Sequence, residues 1–265
     1  MRFMKLIPAW MAVGLLVFAL ACGGGGDAGE ESGDGGAPEA EANGGGDFVT
    51  VDPAKAATVT GKVKLDGDAP KMPAINMSAE PDCKGLHEGA PAAEVVVASD
   101  GMLQNVFVWV KSGLNGKFKP SATAVHLDQK GCIYTPHVLG VQAGQAVNIT
   151  NSDPTTHNVH PLPKTNREWN KSQTGGGAPI DYKFPRPEIM IPVKCNIHPW
   201  MRSYISVVDS PFFGVSGADG SFEIKGLPAG TYTIEAVHER FGATETSVTV
   251  GDAESKDIEF TFSAS

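Results

Sequence analysis

The chain has 265 residues, with 30 acidic and 21 basic side chains and a formal charge of -9. Its 41% hydrophobic content supports packed cores in one large or two small domains, and neither disorder throughout nor an integral membrane protein fits. The negative charge argues against a nucleic-acid partner.

In chain order, Arg2 and Lys5 precede an apolar run from Leu6 to Ala21. A basic start, a short apolar stretch and a small residue at its end describe an export signal, too short for a helix that crosses the hydrocarbon core. Leu20-Ala21-Cys22 resembles the lipobox of bacterial lipoproteins. That resemblance implies a signal peptide over 1–22, acylation of Cys22 and attachment to an envelope membrane; an ordinary cleaved signal with an incidental Cys is the other reading. Gly23 after it is not the Asp that favours inner-membrane retention, so the expected place is the periplasmic face of the outer membrane before the inner membrane or the cell surface. Residues 23–57 read as a linker. Its first part, 23–47, holds seven carboxylates and no Lys or Arg, and eleven of its residues are Gly. This composition predicts a coil spanning roughly 30 Å.

From residue 58 short alternating runs recur between Gly, Pro, Asn and Asp: 58–65, 95–97, 106–110, 146–150, 205–208, 221–224, 231–235, 247–250 and 258–262. Period-2 alternation with β-branched and aromatic residues predicts an all-β chain of sandwiches. Of the four cysteines, Cys22 is assigned to lipid and Cys195 to the cluster below. Cys83 and Cys132 remain and should pair in an oxidising envelope, with Cys83 and His87 as ligands of a second metal the competing reading.

The chemistry sits in two segments: Asn151-Ser152-Asp153-Pro154-Thr155-Thr156-His157-Asn158-Val159-His160, and Cys195-Asn196-Ile197-His198-Pro199-Trp200-Met201. A thiolate, two imidazoles and a thioether are soft or borderline donors that suit copper. With the approach run Gly140–Asp153, these residues resemble the cupredoxins, most closely amicyanin-like ones with a short C-x-x-H-x-x-M loop. The resemblance covers 118–210. It implies a Greek-key β-sandwich with one type 1 copper, held by His157, Cys195, His198 and axial Met201, and Asn158 tying its loop to the Cys loop near Asn196. It further implies a solvent-facing edge on His198, ringed by Pro199 and Trp200 as an electron-entry patch. His160, three residues beyond His157, should point to the opposite face of a strand. Residues 162–187 depart from the family's pattern as an insertion.

Gly220-Ser221-Phe222-Glu223-Ile224 and Leu227-Pro228-Ala229-Gly230-Thr231-Tyr232 resemble the carboxypeptidase regulatory-like (transthyretin-like) β-sandwich. This implies a second domain from 58–117 plus 211–263 with the copper domain inserted, or a tandem order. Seven His without a His-x-His pair exclude a trinuclear oxidase, and one Cys in the ligand loop excludes a binuclear purple centre. No nucleophile–base constellation suggests an enzyme. The expected function is a tethered one-electron carrier serving a cytochrome or dehydrogenase. The alternative is a non-redox binding protein, for copper capture and delivery or for carbohydrate through the regulatory-like sandwich.

Overall fold

The computed structural model describes residues 48–264; Cys22, the signal and the acidic stretch to residue 47 lie outside them. Apart from a five-residue helix, Pro81–Gly85, the regular elements are β-strands arranged in four sheets, and the fold is an all-β sandwich architecture.

Two sheets are built from the ends of the described chain. Ala57–Asp66 is flanked by Ser221–Leu227, antiparallel, and by Ser255–Ser263, parallel, and also pairs Met102–Leu103. The facing sheet runs Phe213–Val215, Phe107–Ser112, Gly230–His238, Gly242–Val250. Alternation is strict: in Ala57–Asp66 every second residue through Leu65 is buried, and Lys62 and Lys64 between them form surface ion pairs with Asp219 and Glu259. Val59, Val63, Leu103, Val108, Ile224, Ile234 and Phe260 fill the space between the sheets.

The other two sheets come from the middle. One runs Lys171–Gln173, His157–Pro161, Glu188–Lys194, Arg202–Val208, Val138–Gln142; the other runs Ile180–Lys183, Ala146–Asn151, Val125–Gln129, Tyr134–Thr135. Leu127, Val141, Ile149, Val159, Ile191 and Ile205 form their core. The unfamiliar stretch 162–187 thus supplies an edge strand to each sheet. Glu188 ties down its start by accepting N–H bonds from Lys164, Thr165 and Asn166. Burial pushes the Glu188 carboxyl up, but those donors outweigh it and hold it at about 2.

A small third cluster joins the two pairs of sheets: Phe107, Val138 and Val208 pack with Phe213, Met190 and Tyr204. Gly140 belongs to this joint, because a Cβ there would lie 2.5 Å from the Phe213 ring and 2.8 Å from that of Phe107.

Two local expectations differ from the structure. Val95–Val97 is not a strand; the extended pair is Ala98–Ser99, because the chain turns at 94–96 as it enters the first core with Val96. The segment carrying Met77 and Cys83, read from sequence as part of the first sandwich, packs on the middle core, since the Cys83–Cys132 disulfide carries it there.

Candidate metal centre

His157 opens the strand His157–Pro161, and Cys195 follows directly on Glu188–Lys194. The turn from Cys195 to Met201 is closed by Met201 N–H donating to His198 O at 2.9 Å and Cys195 N–H donating to Met201 O at 3.3 Å. It brings Cys195, His198 and Met201 into the same end of the sandwich as His157. Nδ1 of His157 and Nδ1 of His198 lie 2.8 Å apart, with Cys195 Sγ 4.0 Å from His198 Nδ1. All three ligand atoms fall within 4.8 Å of one another. His157, Cys195, His198 and Met201 are 0–2% exposed.

The partners of these side chains aim them. His157 donates Nε2–H to Asp153 Oδ2 at 2.9 Å, which leaves the Nδ1 lone pair of the neutral ring for the centre. Asp153 is itself gripped by the N–H groups of Gly131 and Cys132 at 2.6 and 2.7 Å. Both those residues have positive φ, the concave backbone arrangement that binds anions. Beneath the loop, Asn151 Oδ1 accepts Asp153 N–H, its Nδ2 donates to Thr155 O, and Gln173 and Gln129 bond to each other at 2.7 Å.

Asn158 joins the two segments. Its Oδ1 accepts Asn196 N–H at 2.7 Å and lies 3.3 Å from Cys195 Sγ, while its Nδ2 donates to Asn170. Tyr134, fully buried, donates its hydroxyl to Asn158 O. His160 faces outward from the ligand side and bonds to Asn196 and Glu168.

Electrostatics follow from these contacts. Burial pushes the Cys195 thiol up, but bonds with His157 and with the backbone of Asn158, His198 and Ile197 outweigh it and leave it below its usual range. Burial lowers His157, yet Asp153 and Cys195 raise it more. His198 is lowered by burial and by the neighbouring His157 charge. The donor set therefore carries a readily formed thiolate and two imidazole nitrogens, with a carboxylate orienting one ring. This soft and borderline set fits copper, with His157, Cys195 and His198 as the converging donors and Met201 packed in the same core.

Two further expectations are settled by the disulfide. Cys83 and Cys132 are bonded to each other, so Cys83 and His87 hold no second metal; His87 bonds to Gly131 O at 2.7 Å instead. The expected solvent edge of His198 is absent: the residue is 1% exposed. Its Nε2 faces Cys83 Sγ at 3.5 Å and Glu80 Oε2 at 3.9 Å. Pro199 is exposed and Trp200 half-buried, but they do not ring an open His198 edge. Trp200 lies against the His198 ring at 5.2 Å between centroids and donates its indole N–H to Cys132 O. The cover arises because the disulfide draws the 77–87 segment over this flank.

Sequence reasoning did not assign roles to Asp153, Tyr134 or Asn170. Asp153 carried a signal in lying four residues before His157; the others become visible only when strands pair.

No family model matches the chain, and no curated protein matches it. Among solved structures, a copper-containing nitrite reductase from Thermus scotoductus SA-01 is 21% identical, with TM-score 0.31 over 38% of this chain and 25% of that one. The chain thus spans a quarter of that enzyme. A purple cupredoxin from Nitrosopumilus maritimus is 19% identical, with TM-score 0.27 over 31% of this chain and 98% of that one. A mutant of amicyanin in its reduced state is 21% identical, with TM-score 0.30 over 38% of this chain and 97% of that one. The reading of the centre rests on its own geometry.

Proposed function

We propose that the chain is a type 1 copper protein that carries single electrons in the cell envelope, anchored by lipid on Cys22. The cupredoxin-like sandwich would span 118–210, held within a transthyretin-like one. The observation that carries the reading is the convergence of His157 Nδ1, His198 Nδ1 and Cys195 Sγ within 4.8 Å in a buried pocket. Met201, buried in the same core, would supply the thioether donor in this reading. Copper bound there supplies a one-electron couple between Cu(I) and Cu(II).

The chain's own residues account for the rest. Asp153 fixes the tautomer and tilt of His157, and Asn158 holds the ligand loop against the neighbouring strand. Tyr134 pins the Asn158 backbone. Burial keeps water away from the donors, and a site held from several sides changes little between oxidation states. The carrier role needs a redox partner protein, a cytochrome or a dehydrogenase, and no catalytic group of the chain.

A second reading, copper capture and delivery, draws support from the cover over His198, since a closed flank suits storage. The test is Cu(II) addition to the full chain. Electron carriage predicts one copper per chain, an intense visible charge-transfer band lost in Cys195→Ala, and a reversible one-electron wave. Colourless uptake with handover to a Cu(I) chelator would favour delivery, and no uptake would overturn both.

A further inference from the structure

With the His198 flank closed, the other side of the ligand loop stands out. Cys195 lines a cleft of about 420 Å³ together with Lys194, Asn196, Pro199, Arg202 and Tyr204. Lys194 and Arg202 are directly opposite each other in the antiparallel pair Glu188–Lys194 and Arg202–Val208. Directly paired residues project from the same face, and like charges so placed destabilise a sheet. No acidic group among the described residues forms an ion pair with either cation. The nearby acids are engaged elsewhere: Glu168 holds His160 and Glu239 holds His137. An unopposed cation pair on a chain of net charge -9 is a local reversal of sign at the loop's neck, with Lys194 directly before Cys195 and Arg202 directly after Met201.

We infer that this cleft is the docking site for an acidic face of the redox partner protein, which meets the centre on the Cys195 side rather than at His198. The partner's carboxylates relieve the Lys194–Arg202 repulsion, and Pro199 gives the contact an apolar edge. Complementary charge of this kind raises association rates and makes them salt-dependent. Docking here brings the partner to the backbone that carries the thiolate ligand. The inference depends on the proposed copper function for its purpose but not for its geometry, so the two can fail separately.

The test uses the ¹⁵N-labelled full chain, metal-free and loaded with diamagnetic Cu(I), titrated with a hexaglutamate peptide as a stand-in for an acidic protein surface. The expected result is saturable amide shifts centred on Lys194, Asn196 and Arg202 in both forms. They should be abolished by high salt and by Lys194→Glu with Arg202→Glu. Lys194→Gln with Arg202→Gln should weaken binding while keeping the spectrum of the folded chain. In the Cu(I)-loaded chain the charge-reversed variant should be oxidised by hexacyanoferrate(III) at least tenfold more slowly at low salt, with no such loss toward a cationic cobalt(III) complex. Absence of peptide shifts, shifts centred elsewhere, or shifts with inorganic phosphate but not with peptide would overturn the inference. Peptide binding by a chain that takes up no copper would uphold the docking site and remove the electron-carrier reading.

Discussion

The two pairs of sheets treat polarity in opposite ways. In the sandwich made from the chain ends, polar side chains stay outside, as in the surface cluster of Lys111, Glu235 and Glu245. Few of its polar residues are buried, among them Asn105, Ser216 and His238. The middle sandwich buries Gln129, Asn151, Asp153, His157, Asn158 and Gln173 around one end of its core. Burying a polar group is costly unless it is hydrogen-bonded, and apart from the Gln129 Oε1 atom these groups find partners in one another or in the backbone. The difference separates a scaffold that gains its stability from apolar burial from a site that spends stability on fixing ligand direction.

Four substitutions or conditions sharpen that contrast. The largest stability effect is expected from opening the disulfide, whose cysteines are 49 residues apart. Loop-closure entropy puts the loss in Cys83→Ser with Cys132→Ser at about 4 kcal/mol. Because the cover over His198 is tied by the same bond, copper should also pass to a Cu(I) chelator at least tenfold faster; equal transfer rates would show that the cover does not guard the ion. Ile224→Ala, a fully buried truncation in the scaffold, should cost about 3 kcal/mol in denaturant unfolding and leave copper affinity unchanged. A parallel loss of affinity would erase the division of labour.

Acid provides the third test. Burial lowers the His238 ring from its usual 6.5 to about 4. Its contribution is complete above 6.5 and is lost as pH falls toward 4, because the unfolded chain takes the proton first. The expected loss is about 3 kcal/mol. His238→Phe should flatten the stability profile in that window, and an unchanged slope would assign it to other groups. The smallest effect is expected from Asp153→Asn, which keeps a hydrogen-bonding side chain beside His157 but removes the charge. Copper affinity should fall 10–100-fold, read by competition with a chelator, while Ile224 and its surroundings stay undisturbed.

The fold class was legible because alternation is a local property: Ser221–Leu227 and Gly230–His238 show period-2 burial in structure as in sequence. The candidate donors were legible for a similar reason, since Cys195, His198 and Met201 share one short turn and His157 follows a recognisable approach run. What escaped is long-range. Nothing in the Cys83 segment or around Glu80 announces that it lies against His198, more than a hundred residues away, so a ring edge expected in solvent is covered. Val95–Val97 misled because three β-branched residues read as a strand, whereas the chain bends there to place Val96 in the core.

Cys132 touches three parts of the centre through three different atoms. Its sulfur holds Cys83 beside His198, its N–H holds Asp153 behind His157, and its carbonyl receives the indole of Trp200. Any displacement of the turn at 130–133 is therefore felt by both imidazoles together. Neither ring can be retuned alone by a change in this turn: the surroundings of the two nitrogens shift as a single mechanical piece.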